Sequence, residues 1–137
     1  ALNESYEELR TETIPEMERN IKEMIATTTN GNYSDVKYNS EEGLLIQNIV
    51  GEFVPVSKLS LGTIDQMYLG FRLGVSKKAK ELPIILDESF AFYDDERLEN
   101  MIKTLAGLNR QVIIFTCSKR EKEILEKLKY DFNYVEI

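Results

Sequence analysis

A short apolar run, Pro83 to Leu86, ends abruptly in two adjacent acids, Asp87 and Glu88. Its length and its β-branched isoleucines are typical of a buried strand. In open α/β sheets, ligands bind in the crevice outside the carboxyl ends of the strands. Because adjacent residues at a strand end point in different directions, one acid can hold a hydrated Mg²⁺ while the other faces an attacking water. The simpler alternative is a pair of acids at an exposed strand exit.

A second notable element precedes this strand and begins with Ser60, Gly62 and Thr63. The residues after it have apolar side chains spaced as in an amphipathic helix: Ile64, Met67, Tyr68, Phe71, Leu73 and Val75. Ser60 is therefore predicted to lie at a helix N-terminus, where free amide groups and the helix dipole favour an anion. A glycine there lets the backbone approach a phosphate closely. Capping of the helix is the commoner role for such a serine.

In order and spacing, these elements resemble the signature, Walker B and D-loop segments of ABC-type ATPase heads. The resemblance covers about Leu59 to Thr116 and is to the SMC-like DNA-repair branch, which includes SbcC and YhaN-like proteins. It implies a P-loop NTPase-like C-terminal half-domain of the α/β class. The expected architecture is a mainly parallel sheet flanked by helices, with a small antiparallel meander and an N-terminal helix at the base of a coiled coil.

The resemblance assigns the first element to the signature. In that family the signature serine and glycine, here Ser60 and Gly62, close over the γ-phosphate of an ATP bound to the opposite subunit, and Thr63 lies beside them. The family usually has a glycine where this chain has Leu61. Only one flexible residue is therefore left in the loop, which changes how the loop packs on a partner's nucleotide.

The resemblance assigns the strand end to Walker B. By its position, Asp87 orders Mg²⁺ through a water, Glu88 polarises the hydrolytic water, and Asp94 is the D-loop aspartate. The family's switch histidine follows the next core strand, where this chain has Ser118, and the whole chain contains no histidine. Either hydrolysis is slow, or Ser118 contacts the γ-phosphate with a weaker hydrogen bond.

The phosphate-binding motif G-x-x-x-x-G-K-[ST] does not occur in the sequence. In SMC-like ATPases this motif lies in an N-terminal lobe that a long coiled coil separates from the signature. The expected partners are therefore this Walker A lobe of the same protein and, on ATP binding, a second head in a homodimer. DNA and a nuclease are further expected partners. Without the Walker A lobe, the 137 residues are expected neither to bind ATP tightly nor to hydrolyse it.

Composition limits the function of the lobe itself. With 17 basic and 24 acidic residues the net charge is −7, which argues against a DNA-binding surface on this lobe alone. The single cysteine, Cys117, excludes an internal disulfide and a cysteine-cluster metal site. Since no apolar run could cross a bilayer and no leader is seen, a cytoplasmic location without membrane contact is expected.

Two parts are predicted along the chain: residues 1–29 as a helix at the base of a coiled-coil arm, and residues 30–137 as a single ATPase lobe. Pro15 lies either in the first turn of a second helical segment or at a kink. Three β-prone runs between residues 35 and 56 predict the meander. Later predicted elements are a helix over 94–108, a strand over 112–115, a helix over 119–129 and a peripheral final strand over 130–137.

Two other functions are compatible with the sequence. The first is an ATP-gated dimerisation module in which the missing histidine and the altered signature leave binding but little turnover. The second is an unrelated Mg²⁺-dependent phosphotransfer domain, like a response-regulator receiver, with Asp87 as phosphate acceptor. This last function is disfavoured because the early acidic pair and the late lysine that it needs are absent.

Overall fold

The structure is a computed structural model that describes Glu12 and residues 14–136. Its residues form two compact units, one within Ala1–Ala79 and the other within Lys80–Ile137. Each unit contains helices and one small sheet, so the predicted α/β class is confirmed. None of the described helices combines the length and the hydropathy that a bilayer crossing needs.

The first unit contains two long helices around a three-stranded sheet. Helix α1 (Ile14–Thr28) is followed by strands β1 (Tyr33–Asn39), β2 (Gly43–Asn48) and β3 (Phe53–Pro55), and helix α2 (Leu61–Val75) ends the unit. The strands pair antiparallel in the order β1-β2-β3. The meander is therefore present as predicted.

Helix α1 accounts for the described part of the predicted N-terminal helix. Pro15 lies in its first turn, where the missing N–H has no intrahelical partner to lose. The earlier half of the predicted helix, residues 2–11, and Thr13 lie outside the described residues. The division of the chain at residue 29 stays a prediction.

The core of the first unit joins both helices to the sheet. Five buried side chains form it: Ile21, Ile25, Ile46, Val56 and Met67. Helix α2 lies so close to α1 that a Cβ atom added at Gly74 would be 2.5 Å from the Cα atom of Ile21. Because glycine has no side chain, the two helix backbones can come this close at Gly74. Any other residue there would clash with α1.

The second unit alternates strands and helices: β4 (Ile84–Asp87), α3 (Asp95–Ala106), β5 (Val112–Phe115) and α4 (Arg120–Lys127). Strands β4 and β5 pair in parallel, with Asp87 opposite Phe115. Ile84 and Leu86 alternate inward along β4 and are buried with the inner face of α3. The parallel sheet has only these two strands among the described residues.

The predicted final strand is wrong for its described part. Residues 130–136 contain no strand, although apolar and polar residues alternate there. Helix α4 ends as Lys129 adopts a left-handed conformation with φ 58°, and the segment after it joins neither sheet. Alternation predicts a strand only where a neighbouring strand can take up the backbone hydrogen bonds.

Candidate functional site

Ser60 lies at the N-terminus of α2, as the sequence predicts. It is the N-cap residue, and its Oγ accepts a hydrogen bond from the backbone amide of Thr63 at 3.3 Å. The hydroxyl groups of Ser60 and Thr63 are also 2.8 Å apart. Ser60 is exposed, whereas Gly62 and Thr63 are buried in the first turn. The residue that caps the helix is therefore also the one that solvent, or a ligand, can reach.

This helix start suits an anion. The first amide groups of an α-helix have no intrahelical acceptor, and the positive end of the dipole lies there. The first turn of α2 contains no acidic side chain, so the local field is not cancelled by a carboxylate within it. Leu61, the first residue of the helix, is 62% exposed and forms an apolar edge beside Ser60.

Asp87 and Glu88 lie at the carboxyl end of β4, as predicted, and both are exposed. The backbone amide of Glu88 donates to the carbonyl of Phe115 at 2.9 Å, which extends the pairing with β5 by one bond. Glu88 itself has φ 45°, in the left-handed region. Residues other than glycine rarely adopt this conformation, and their instances concentrate at functional sites.

The carboxylate of Glu88 is held by the loop that follows β5. Its Oε1 accepts a hydrogen bond from the backbone amide of Cys117. This contact fixes one carboxylate oxygen. The hydrogen bond of the Cys117 thiol to the same carboxylate, together with its negative charge, raises the pKa of Cys117. The sequence did not indicate that Cys117 contacts Glu88, because the two are 29 positions apart.

Asp94 caps the helix that follows. Its Oδ1 accepts from the backbone amide of Arg97 at 2.9 Å, and its Oδ2 lies 3.3 Å from Nε of the same arginine. Asp95 and Glu96 add negative charge to the first turn of α3, where the helix dipole favours it. The structure thus places the proposed D-loop aspartate at a helix N-terminus with its side chain oriented by its own helix.

Ser118 lies in a turn immediately before α4. Its amide donates to Thr116 Oγ1 at 3.0 Å, and its Oγ accepts from the amide of Arg120 at 3.1 Å. Thr116 Oγ1 in turn donates to the buried carboxylate of Glu121 at 3.3 Å. The hydroxyl of Ser118 therefore accepts from the first amide of α4, although the N-cap residue is Lys119. The sequence did not predict this hydrogen-bonded loop.

A residue that sequence reasoning missed joins the two loops of this unit. Arg120 donates through Nη2 to the carbonyl oxygen of Tyr93 at 2.7 Å, and its Nε lies 3.3 Å from Asp95 Oδ1. Its only sequence signal was a position two residues after Ser118, at the start of a predicted helix. The structure brings Glu88, Asp94 and Ser118 onto two connected loops at one end of the β4–β5 pair.

The residues at this strand end suit a hydrated Mg²⁺ ion rather than an ion enclosed by protein ligands. Within the described residues, no cluster of three or more acidic, cysteine or histidine side chains could enclose a metal ion. Mg²⁺ does not require such a cage, because it keeps several waters and binds through one or two carboxylates together with substrate phosphates. The exposed carboxylate of Asp87 could hold such a hydrated ion through one of its waters.

Comparison with known proteins agrees with the predicted resemblance. No protein-family model matches the chain. The chain is 29% identical over 117 residues to the uncharacterised protein YhaN of Bacillus subtilis, a match that covers 80% of this chain and 12% of that protein. The chain thus spans about an eighth of the length of this relative.

Solved structures of SMC head domains share the fold. The SMC head with a coiled coil and joint from Pyrococcus yayanosii has a TM-score of 0.68 at 17% identity, over 89% of this chain and 25% of that one. An SMC ATPase studied for ATP-driven dimerisation and DNA-stimulated activation has a TM-score of 0.67 at 18% identity, over 85% of this chain and 74% of that one. The chain therefore has the fold of an SMC head.

Proposed function

We propose, from the shared fold of SMC ATPase heads, that this chain is the C-terminal half of such a head. Together with a separate Walker A lobe it binds ATP and Mg²⁺ and hydrolyses the ATP across a dimer interface. The observation that carries the proposal is Glu88, which follows a parallel strand in a left-handed conformation with its carboxylate fixed by the next loop.

The conformation of Glu88 supports a catalytic role. A non-glycine residue held in a sparsely populated backbone region costs about 1–3 kcal/mol, so it persists only where the surroundings hold it in place. Here the amide of Glu88 is bonded to Phe115 and its carboxylate to Cys117. A carboxylate held through one oxygen can present the other to a water molecule, as a general base requires.

Other residues of the chain complete the proposed site. Asp87, exposed at the same strand end, orders Mg²⁺ through a water. Ser60, Gly62 and Thr63 contact the γ-phosphate of an ATP bound to the second head, through the hydroxyl groups of the serine and the threonine and the positive end of the α2 dipole. Asp94 acts in the same interface as the D-loop aspartate. The catalytic site is thus divided between lobes and between subunits.

The sheet of the second unit supports the proposed Walker A lobe. On the outer face of the β4–β5 pair, the side chain of Ile85 is 62% exposed and that of Phe115 is 49% exposed. All-parallel sheets are found almost only with both faces covered. In the proposal, the Walker A lobe of the same protein covers this face, and without that lobe the fragment is inactive.

The proposed role of the whole protein is in DNA repair or DNA-end processing in the cytoplasm. One structural neighbour is an SMC ATPase studied for DNA-stimulated activation, and YhaN is a sequence relative. Since this chain has a net charge of −7, DNA contacts would come from other parts of the protein. A nuclease is the proposed enzymatic partner.

The test is Glu88→Gln in the full-length protein. Turnover of ATP should fall by about a hundredfold or more, the scale expected for loss of a general base, while ATP affinity is retained. The variant should then accumulate as an ATP-bound dimer. Glu123→Gln, at an exposed position of α4, is the matched control and should leave turnover unchanged.

The same experiment distinguishes the ATPase function from the second candidate, an ATP-gated dimerisation module with little turnover. That function is favoured by Ser118, which replaces a histidine and whose hydroxyl already accepts a hydrogen bond from the amide of Arg120. If the wild-type protein dimerises with ATP but hydrolyses it no faster than Glu88→Gln, the dimerisation module is correct. Unchanged turnover in an active Glu88→Gln protein would exclude Glu88 from catalysis.

A further inference from the structure

Two loops of the second unit are joined at both of their ends. One loop runs from Glu88 to Asp94, between β4 and α3, and the other from Thr116 to Lys119, between β5 and α4. At one end, the amide of Cys117 donates to the Glu88 carboxylate. At the other end, Arg120 reaches the carbonyl oxygen of Tyr93.

The contact made by Arg120 is suited to fixing a loop. Its guanidinium donates to a backbone carbonyl at 2.7 Å and also lies 3.3 Å from the carboxylate of Asp95. The backbone amide of the same arginine bonds to Ser118 Oγ. Because the guanidinium is planar and presents several donors in a fixed fork, it can hold two acceptors in one relative orientation.

The backbone contact matters more than the ion pair. The side chain of Asp95 is 88% exposed, and ion pairs in that setting contribute little because water screens them. Tyr93, by contrast, is 3% exposed and packs edge-on against the buried ring of Phe90 at 5.4 Å. Through the carbonyl oxygen of Tyr93, Arg120 therefore holds the buried part of the loop that directly precedes Asp94.

We infer that Arg120 is a positioning residue for the ATPase reaction. Through Tyr93 it fixes the distance between Asp94 and Glu88, and through its own amide it orients Ser118. The inference deepens the proposed function and rests on it. In this role Arg120 contacts neither the nucleotide nor the attacking water. It positions Glu88, Asp94 and Ser118, which contact them in the proposed site.

The test uses the full-length protein and four variants. Arg120→Ala removes the guanidinium, Arg120→Lys keeps the charge but loses the fork, and Glu88→Gln reports on the proposed function. Lys127→Ala is the control, because it removes another contact between α4 and α3, the 2.6 Å ion pair with Glu99, at the far end of α4. Steady-state ATP hydrolysis gives kcat and KM, and hydrogen exchange followed by mass spectrometry reports on residues 89–95.

Arg120→Ala should lower kcat by roughly ten- to a hundredfold, the scale of a misplaced catalytic group, with KM for ATP within about twofold. Deuterium uptake over residues 89–95 should rise in the same variant. Arg120→Lys should have an intermediate kcat, and Lys127→Ala should resemble the wild type in both measurements. If Arg120→Ala fails to fold, the kcat and the deuterium uptake of Arg120→Lys test the inference instead.

Three results would overturn the inference: an unchanged kcat, a lower kcat without a change in uptake, or an equal loss in Lys127→Ala. The failure of the proposed function is distinguishable from these. If Glu88→Gln hydrolyses ATP as fast as the wild type, the proposed function fails whatever Arg120 does. If Glu88→Gln is slow and Arg120→Ala is not, only the inference fails.

Discussion

Gln66 and Thr28 exchange two hydrogen bonds across the contact between α1 and α2. Gln66 Nε2 donates to the carbonyl oxygen of Thr28 at 2.9 Å, and Thr28 Oγ1 donates to the carbonyl oxygen of Gln66 at 3.2 Å. Both side chains are buried. In the proposed head, this pair fastens the helix at the base of the coiled-coil arm to the helix that begins at Ser60.

Gln66→Leu should lower the free energy of unfolding by about 1–3 kcal/mol, because a buried carbonyl at the end of α1 loses its partner. Gln47→Leu is the matched control: Gln47 Nε2 also donates to a backbone carbonyl, that of Gly51, but at an exposed site where water can replace it. Urea denaturation followed by circular dichroism measures both variants. Equal losses in the two would show that burial of the Gln66–Thr28 pair contributes nothing.

Gly74→Ala should destabilise the first unit although alanine is the better helix former. The new Cβ atom would lie 2.5 Å from Ile21 Cα and 2.9 Å from Asn20 O, which are backbone atoms and cannot rotate away. Such overpacking costs typically about 1–3 kcal/mol. Arg72→Ala, at an exposed position on the same helix, should change stability by less than about 0.5 kcal/mol. A Gly74→Ala protein as stable as the wild type in thermal melts would refute the close crossing.

Ser60→Arg should abolish ATP-driven dimerisation of the full-length protein while its monomer stays folded. The arginine would place a long side chain where the partner's γ-phosphate must approach, whereas loss of the helix cap alone costs only about 1 kcal/mol. Ser34→Arg, at an exposed position of β1, is the control. Sedimentation with and without a non-hydrolysable ATP analogue measures the effect. Dimers of Ser60→Arg on nucleotide addition, or wild-type dimers without nucleotide, would leave Ser60 as a helix cap only.

The contact between α3 and α4 should depend on pH through Glu99. Hydrogen bonds from Lys103 and Lys127 lower the pKa of its carboxyl from 4.5 to about 2. Because the pKa is lower in the folded state, these contacts stabilise the fold fully above pH 4.5 and the stabilisation is lost as the pH falls toward 2.

The measurement is denaturation of the wild type and Glu99→Gln across that pH range. The difference in stability should be largest above about pH 5 and should disappear as the pH falls through about 2. It should be small because the pair is at the surface. Glu123→Gln, at an exposed position of α4, is the control. A Glu99→Gln difference that does not change with pH would contradict the ion pairs.

Local pattern was enough to predict most of the elements. The spacing of apolar residues predicted α2, α3 and the strands at Ile84–Asp87 and Val112–Phe115, because burial of one helix face or of a short β-branched run leaves a periodic signal. The same kind of pattern placed Ser60 at a helix start and Asp87 and Glu88 at a strand end. These positions depend on neighbours within a few residues, which the sequence displays directly.

Tertiary contacts decided what the pattern could not. The alternation over 130–137 predicted a strand that its described part does not form, since pairing requires a partner strand that a local pattern does not reveal. The bond of Glu88 to Cys117 and the contact of Arg120 with Tyr93 join residues more than 25 positions apart. The left-handed backbone of Glu88 was likewise not visible in the sequence. The residue types needed at the site were visible in the sequence, but their orientation depends on hydrogen bonds that exist only once β4 and β5 are side by side.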